Sequence, residues 1–305
     1  MSTDHSLPEN ALTVDVEDYF QVAALAPHIP RSTWDQRECR IERNLERILD
    51  LFERHRAHAT FFTLGWIAER YPQAVRRIVE GGHELASHGY GHERVTALDA
   101  AGFRDDILRA QRILEDTTGA AVRGYRAPSF SIGEHNLWAL EILRDTGHLY
   151  SSSIYPIHHD HYGMPQAPRQ PHHPAGAAGV VELPPATLRL RGRNLPAAGG
   201  GYFRLLPYAV SRHALQRINR HDGMPGIFYF HPWEIDPGQP RISGVGLKTR
   251  FRHYLNLHRT EERLERLLSD FRWNRVDRVF ADAIAGRPKA VVGTAQHGRA
   301  GAHVL

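Results

Sequence analysis

The sequence Glu84-Leu85-Ala86-Ser87-His88-Gly89-Tyr90-Gly91-His92-Glu93 carries two histidines four residues apart in a glycine-containing stretch. The glycines disfavour a helix interior. Along an extended strand, side chains four residues apart lie ~13 Å from each other, too far to share one ion. A tight loop can bring both ring nitrogens to the ~2.0–2.1 Å that zinc requires. Residues 83–86 are typical of a short strand, so His88 is expected where this strand ends. The pair indicates either a metal site or two solvated loop histidines.

Strands and helices alternate along the chain on both sides of this stretch. Apolar and β-branched runs predict strands at 11–14, 58–65, 83–86, 122–126, 149–153 and 226–230. Helical spacing of apolar residues predicts helices between the first five strands, with Pro72 at a favoured first position. Thr96 and Asp99 resemble a capping box before the third of these helices. Because each of these connections carries a helix, the strands should be parallel and the fold α/β.

Length and composition fit one large globular domain. The chain has 305 residues, of which 41% are hydrophobic and 24% charged, and it contains no apolar run of the ~18–20 residues that a membrane span needs. We expect a single domain over residues 1–285, with a C-terminal helical extension from about residue 250. Residues 155–179 have no periodicity and are predicted to form a long loop. The tail, residues 286–305, is predicted to be disordered.

Charge and cysteine content exclude several classes of function. The net charge is +4, but the arginines are interspersed with acidic residues, which favours a solvated surface over a nucleic-acid groove. The single Cys39 excludes an internal disulfide and a multi-cysteine metal site. Residues 1–12 contain no apolar core of a secretory signal, so a cytoplasmic location is expected. Membrane association through a biosynthetic complex is the alternative.

Polar side chains recur where the predicted strands end. They are Asp15, Glu17 and Asp18 after the first strand, His88 and His92 after the third, Arg126 after the fourth, and His231 after the last. The carboxyl ends of parallel strands meet on one face of an α/β fold, where sites are built. Three carboxylates after an apolar strand are costly unless they are paired or bind a metal. The alternative for them is an acidic helix N-terminus.

Five ordered motifs resemble those of the polysaccharide deacetylases, the NodB-homology domains of carbohydrate esterase family 4. They are Val14-Asp15-Val16-Glu17, Ala59-Thr60-Phe61-Phe62-x-x-Gly65, Ser87-His88-Gly-Tyr-Gly-His92, Arg123-Gly-Tyr-Arg126-Ala-Pro128 and Phe228-x-x-His231-Pro232. Within that family, the segments 15–20 and 199–204 resemble the branch associated with exopolysaccharide clusters and exosortase systems. The resemblance covers residues 11–235 and implies a distorted (β/α) barrel with extra C-terminal helices. It also implies removal of acetyl groups from N-acetylated sugars with a divalent metal.

The resemblance also implies roles for individual residues. Asp15 would be the general base, Arg126 would orient and tune it, and His231 would be the general acid. His88 and His92 would bind the metal, most often zinc in this family, with cobalt, nickel or manganese as alternatives. The family usually has a second aspartate on the metal, but Val16 occupies that place and cannot ligate. The metal carboxylate must then come from Glu17 or Asp18. Glu17 is favoured because residues two apart on a strand share a face.

These residue types suit amide hydrolysis. A metal polarises the carbonyl and acidifies water, a carboxylate takes the water proton, and an imidazole protonates the leaving amine. The oxyanion could also meet a backbone N–H after Tyr125 or Ser151. The candidate substrate-binding residues are Tyr125, Pro128, Tyr155, Tyr202 and Trp233, the last three as sugar-stacking platforms.

The expected function is therefore metal-dependent deacetylation of an N-acetylated oligo- or polysaccharide in exopolysaccharide biosynthesis. One alternative is a cyclic imide or ureide amidohydrolase on the same scaffold. A closed pocket would favour that small-ring substrate, and an extended groove would favour a polymer. The second alternative is a catalytically inactive glycan-binding module, against which the presence of a base, an acid and a metal set argues.

Overall fold

A parallel β-sheet forms the centre of the computed structural model, which describes residues 7–160, 162–174 and 180–287. Its strands are β1 (Asn10–Val16), β2 (Thr60–Thr63), β3 (Glu84–Ser87), β4 (Gly124–Tyr125), β5 (Tyr150–Ser151), β6 (Val181–Glu182), β9 (Ile227–Phe230) and β10 (Trp273–Asn274). A separate hairpin consists of β7 (Thr187–Leu190) and β8 (Arg193–Pro196). The alternation of strands and helices confirms the predicted α/β class. Most of the predicted disordered tail, residues 288–305, lies outside the described residues.

The strands follow one another around the sheet nearly in chain order. β1 pairs with β2, β2 with β3, and so on to β6, and every pair is parallel. β9 joins the other side of this series by pairing with residues 11–14 of β1. Beyond β6, the amide of Ala186 donates a hydrogen bond to the carbonyl of Ile227 in β9. The sheet therefore curls toward closure, as a distorted barrel does.

Helices pack around the outside of this sheet. They are α1 (Ile41–His55), α2 (Gly65–Arg70), α3 (Pro72–Glu80), α4 (Ala100–Thr118), α5 (Trp138–Asp145), α6 (Gly200–Leu205), α7 (Tyr208–Arg220), α8 (Leu247–Tyr254), α9 (Thr260–Asp270), α10 (Val276–Val279) and α11 (Ala281–Ile284). The predicted apolar face of α1 is buried, with Ile41, Leu45 and Ile48 against the core. Among the residues described, no helix is both long and apolar enough to cross a bilayer.

Three local expectations need correction. Thr96 is not a helix cap: it lies in a 3₁₀ turn, and Asp99 itself caps α4 by accepting a hydrogen bond from the amide of Gly102 at 2.8 Å. Gly65 does not end a strand but begins α2, whose residues up to Ala68 are all buried and therefore show no amphipathic spacing. The C-terminal segment is not only helical, because β10 adds to the central sheet beside the start of β1. A two-residue strand is too short to show a period in the sequence.

The predicted long loop is largely borne out where the structure describes it. Within residues 155–160 and 162–174, the chain forms neither helix nor strand, apart from one isolated bridge between His172 and Glu182. This segment crosses the same edge of the sheet as the loops that follow β1, β3 and β4, because Tyr155 contacts Phe130 and Tyr229 there.

Candidate metal centre and active site

Three side chains from two separate parts of the chain meet at the carboxyl edge of the sheet. Glu17 directly follows β1, and His88 and His92 lie in the loop after β3. One ligand atom from each lies within 4.8 Å of the ligand atoms of the other two, as a shared ion would require. Glu17 and His88 are buried and His92 is half-buried. Two imidazole nitrogens and one carboxylate oxygen are a donor set that suits zinc and leaves a further coordination position open.

The hydrogen bonds around these groups are consistent with metal binding. Glu17 Oε2 is buried and makes no hydrogen bond, although His92 Nε2 lies 2.7 Å away. His88 Nδ1 donates to the backbone carbonyl of Arg126 at 2.8 Å, which leaves its Nε2 as a free acceptor. Such a bond fixes the ring orientation of a metal-binding histidine. Among the described residues, His92 is the neighbour of this buried oxygen, and a cation held between the two would satisfy both groups.

The protonation states that burial favours also fit a cation. Burial lowers the pKa of His88 to about 4, so its imidazole is neutral and able to ligate at neutral pH. For Glu17, burial alone would raise the pKa, but three neighbouring imidazoles outweigh it and hold the pKa well below its usual range. The carboxylate is therefore ionised.

The loop that carries the two histidines adopts left-handed backbone conformations at two positions, and one of them is a glycine. Gly89 has φ of 77° and His92 has φ of 58°, both in the left-handed region. The amide of Tyr90 donates to Asp106 of α4 at 3.0 Å, and a Cβ at Gly89 would lie 2.7 Å from the same carboxylate. The glycine thus allows the loop to turn tightly against α4, which brings the rings of His88 and His92 to a centroid distance of 5.2 Å.

Asp15 and Arg126 form a buried ion pair beside the metal group. Arg126 is fully buried, and its Nη1 lies 2.5 Å from Asp15 Oδ1 and 2.8 Å from Thr13 Oγ1. Its remaining nitrogens donate to the carbonyl of Ser152 at 3.1 Å and to the Ser152 hydroxyl at 3.0 Å. The guanidinium is thereby held in one orientation against Asp15.

His231 completes the group from the end of β9. Its Nε2 lies 3.9 Å from Asp15 Oδ2 and 3.6 Å from Glu17 Oε1. On the other side of the ring, Nδ1 lies 3.6 Å from Glu234 Oε2. Burial alone would lower the pKa of His231, but these carboxylates outweigh it and raise the pKa to about 9. The ring can therefore hold a proton near the carboxylates.

Asp18 is not brought into the metal group. Its Oδ1 accepts from the amide of Tyr19 at 2.7 Å and so caps a 3₁₀ turn, and its Oδ2 accepts from the amide of Arg40. Burial raises the pKa of Asp18 to about 6, partly opposed by these hydrogen bonds. The chain turns after Glu17, so the Asp18 carboxylate binds backbone amides and does not face His88.

Most of the aromatic residues expected to bind sugar are buried. Trp233 is buried and donates its indole N–H to Glu17 Oε1 at 3.1 Å. Tyr155 is fully buried and its hydroxyl donates to the carbonyl of Ala198 at 2.9 Å. Tyr125 and Pro128 are also buried, whereas Tyr202 is half-buried. The structure therefore brings Trp233 to the candidate metal centre as a support for Glu17 rather than as an exposed platform.

An open cleft lies among the loops that follow β3, β4 and β5. It has a volume of about 420 Å³ and is lined by residues 130–136, 157–159, 162–166 and Thr96. The candidate metal-binding and catalytic residues are not part of its lining, and among the lining residues Phe130 has its ring centre 5.5 Å from the Arg126 guanidinium.

Three supporting residues are absent from the sequence analysis. Glu234 lies beside His231, and Arg204 donates to Glu234 Oε1 at 3.2 Å. Glu182 accepts from the amides of Ser153 at 2.7 Å and Ile154 at 2.8 Å, and so holds the turn that contains the Ser152 partner of Arg126. Arg204 lies inside the segment 199–204 and Glu234 lies two residues after the motif that ends at Pro232, and that placement was a usable signal. Glu182 ends an ordinary apolar strand and gave none.

Comparison with known proteins identifies relatives for both halves of the chain. The family described as "Polysaccharide deacetylase" matches residues 31–150, and "Domain of unknown function (DUF3473)" matches residues 152–281. The boundary between the two matches falls at β5, inside the continuous parallel sheet.

Several curated proteins are similar over the first of these regions. A peptidoglycan deacetylase from Helicobacter pylori is 34% identical over 119 residues, which are 39% of this chain and 39% of that protein. A chitooligosaccharide deacetylase from Bradyrhizobium sp. is 32% identical over 97 residues, 32% of this chain and 42% of that protein. The aligned region thus spans less than half the length of these relatives.

A solved structure matches nearly the whole fold. It is that of a Mycobacterium smegmatis protein assigned to the polysaccharide deacetylases, with a TM-score of 0.61 and 19% sequence identity, covering 96% of this chain and 97% of that one. Together with the curled parallel sheet, this similarity confirms the predicted distorted (β/α) barrel of NodB type.

Proposed function

This chain belongs to the polysaccharide deacetylases, and we propose that it is a metal-dependent hydrolase that removes acetyl groups from N-acetylated amino sugars of a polysaccharide. The observation that carries the proposal is the convergence of the Asp15 carboxylate, the His231 imidazole and the candidate metal-binding group. His231 Nε2 lies within 4 Å of both Asp15 and Glu17. Relatives named as peptidoglycan and chitooligosaccharide deacetylases support the substrate class.

Glu17, His88 and His92 would hold the cation. When bound, a divalent metal, most simply zinc, would polarise the acetamide carbonyl and make the attacking water more acidic. The residues of this chain supply the remaining steps. The indole N–H of Trp233, which donates to Glu17, and the carbonyl of Arg126, which accepts from His88, keep both ligands in fixed orientations, so that little reorganisation is needed when substrate enters.

Asp15 acts as the general base. Its Oδ1 is engaged by the Arg126 guanidinium, so its Oδ2 is the oxygen that faces His231. Oδ2 takes the proton of the water as it attacks the acetamide carbon. Arg126 donates to Oδ1 and so positions the carboxylate with Oδ2 available for the transferred proton.

His231 acts as the general acid. Its Nε2 points toward the two carboxylates, while its Nδ1 faces Glu234. A protonated ring can donate from Nε2 to the amine as the C–N bond breaks, which releases acetate and the free amino sugar. Arg204 forms an ion pair with Glu234 Oε1, so the carboxylate that orients His231 is itself fixed.

The finer assignments rest on the sequence resemblance. A role in exopolysaccharide biosynthesis is supported by the segments 15–20 and 199–204, and a cytoplasmic location stays a prediction. The two other functions considered from the sequence are tested in the same assay. Acetate release from N-acetylated oligosaccharides, with no turnover of cyclic imides or ureides, supports the deacetylase. Binding of the oligosaccharides without any turnover would instead support a glycan-binding module.

The deciding experiment compares two aspartate variants. Asp15→Asn should retain bound metal and lose acetate release by about 10²–10⁴-fold, because an amide cannot take the water proton. Asp18→Asn is the matched control: it keeps an acceptor oxygen for its 3₁₀ turn, and it should keep both metal and rate. Metal analysis and acetate release are measured on both proteins. An unchanged rate in Asp15→Asn would remove Asp15 from the mechanism.

A further inference from the structure

Helix α8 presents two large apolar side chains to solvent. Leu247 is 85% exposed and Phe251 is 58% exposed, the two highest values among the large hydrophobic residues that the structure describes. They are four residues apart and therefore lie one above the other on the same face of the helix. His253 projects from the opposite side of the helix and is buried, so the helix is anchored to the protein by that side.

The surroundings of this apolar pair are strongly basic. Between Pro237 and Thr260 the sequence contains no Asp or Glu, and its cationic residues are Arg241, Lys248, Arg250, Arg252 and Arg259. At 100° per residue, Lys248 and Arg252 project on one side of the apolar pair and Arg250 on the other. An acid from elsewhere in the fold approaches them: Asp160 lies 3.2 Å from Lys248 and 3.6 Å from Arg252. The ion pairs are exposed and leave a net positive surface.

We propose that α8 docks onto the surface of an anionic lipid bilayer. Leu247 and Phe251 would enter the boundary between head groups and acyl chains, and the flanking cations would remain at the level of the lipid phosphates. The separation of an exposed apolar centre from cations on both sides matches the layering of such a membrane. It matches an anionic glycan less well, because sugars stack on aromatic faces and would leave the aliphatic Leu247 in water.

The inner side of α8 leads directly to the candidate active site. His253 stacks on Trp233 at a ring distance of 4.4 Å, and Trp233 donates to Glu17. Docking through α8 would therefore hold the metal-binding edge of the sheet close to the bilayer. The proposal concerns a surface separate from the catalytic residues, and it does not depend on the deacetylase assignment.

The test is vesicle flotation with the full chain. We expect the protein to float with vesicles of phosphatidylcholine mixed with phosphatidylglycerol, and to bind phosphatidylcholine alone at least about tenfold more weakly. The double variant L247S/F251S should lose roughly tenfold or more in affinity for the anionic vesicles. The double variant K248Q/R250Q should lose affinity and become less sensitive to salt. L108S/V210S, which alters two exposed apolar residues on α4 and α7, is the matched control and should bind like the wild type.

Acetate release from a short soluble oligosaccharide is measured on the same proteins and should be equal in all of them. Equal binding to both vesicle types, or no binding to either, would overturn the proposal. So would light scattering that shows a dimer lost in L247S/F251S, since α8 would then join two copies of the chain. Retention of L247S/F251S on a soluble polyanionic polysaccharide, with loss only in K248Q/R250Q and no vesicle binding, would assign the surface to a glycan.

Discussion

Each end of β3 brings histidine and glutamate side chains together, but the contacts of these side chains differ between the two ends. At its start, His83 and Glu84 are buried, and at its end, His88 and His92 meet Glu17. Burial lowers the pKa of both His83 and His88 to about 4. The His83 ring packs against Phe61, with its Nδ1 accepting from the amide of Ala59 at 3.2 Å. His88 instead has a free Nε2, which could bind an ion shared with Glu17 and His92.

The two buried glutamates show the same contrast. Glu84 accepts from Thr60 Oγ1, from the Tyr150 hydroxyl at 2.9 Å and from the amide of Asp277 at 3.2 Å, so both of its oxygens have donors. Glu17 has one oxygen with no hydrogen bond. Burial raises the pKa of Glu84 to about 7, whereas imidazoles hold that of Glu17 low. A polar group whose contacts are complete stabilises the fold, and one whose contacts are incomplete is a candidate for chemistry.

The largest expected effect comes from exchanging these two glutamates for glutamine separately. Glu17→Gln removes the only charged member of the ligand set, so we expect loss of bound metal and a fall in acetate release of about 10³-fold or more. Glu84→Gln should keep metal and rate, but should lower the free energy of unfolding by about 1–2 kcal/mol, because an amide nitrogen would face donors. The measurements are metal analysis, acetate release and urea denaturation.

The contrast between the ends of β3 would be contradicted if Glu17→Gln kept the metal and Glu84→Gln lost it. Metal retained in Glu17→Gln would show that the imidazoles do not share an ion with this carboxylate. Loss of metal in Glu84→Gln, with an unchanged free energy of unfolding, would place the metal-binding site at the start of β3 and not at its end.

A smaller effect is expected from His83 as the pH falls. Its pKa is about 4 in the folded protein against an ordinary 6.5, so the unfolded chain binds more protons between these values. The stability that neutral His83 contributes is therefore complete above about pH 6.5 and is lost as the pH falls to about 4, on the order of 2 kcal/mol. His83→Gln cannot titrate, so the difference in unfolding free energy between wild type and variant should narrow over this interval. Urea denaturation at a series of pH values measures it.

His213→Gln provides the control for this pH series, because His213 is exposed on α7. It should show no narrowing. A difference between wild type and His83→Gln that stays constant from pH 7 to pH 4 would contradict the burial argument for the start of β3.

The sequence predicted the order of the fold well because the signals that decide it are local. The apolar stripe of α1 and the capping glycine after α4 lie within single elements. The site residues at the strand ends were predictable because parallel strands align their carboxyl ends, although their individual roles rested on the resemblance. The structure places Glu17, not Asp18, in the metal group, since the chain turns after Glu17 to let Asp18 cap the next turn.

Other features depend on contacts between distant segments and have no local signal. β10 pairs with β1 across nearly the whole length of the chain, and a two-residue strand carries no period. Glu182 supports the partner of Arg126 from the end of an apolar strand. The burial of Trp233 follows from its packing between His231 and His253, which the sequence near His231 does not reveal.

The smallest effect is expected from Trp233, and it distinguishes support of the metal group from sugar binding. Trp233→Phe keeps an aromatic ring between His231 and His253 but removes the N–H that donates to Glu17 Oε1. Loss of such a supporting hydrogen bond should weaken metal affinity by about tenfold, with the rate at saturating metal changed only a few-fold. Competition with a chelator measures the affinity. Trp138→Phe, on α5 against Phe103, is the matched control and should change neither quantity. If Trp233→Phe instead raised KM for oligosaccharides at unchanged metal affinity, Trp233 would be a sugar platform and would not support Glu17.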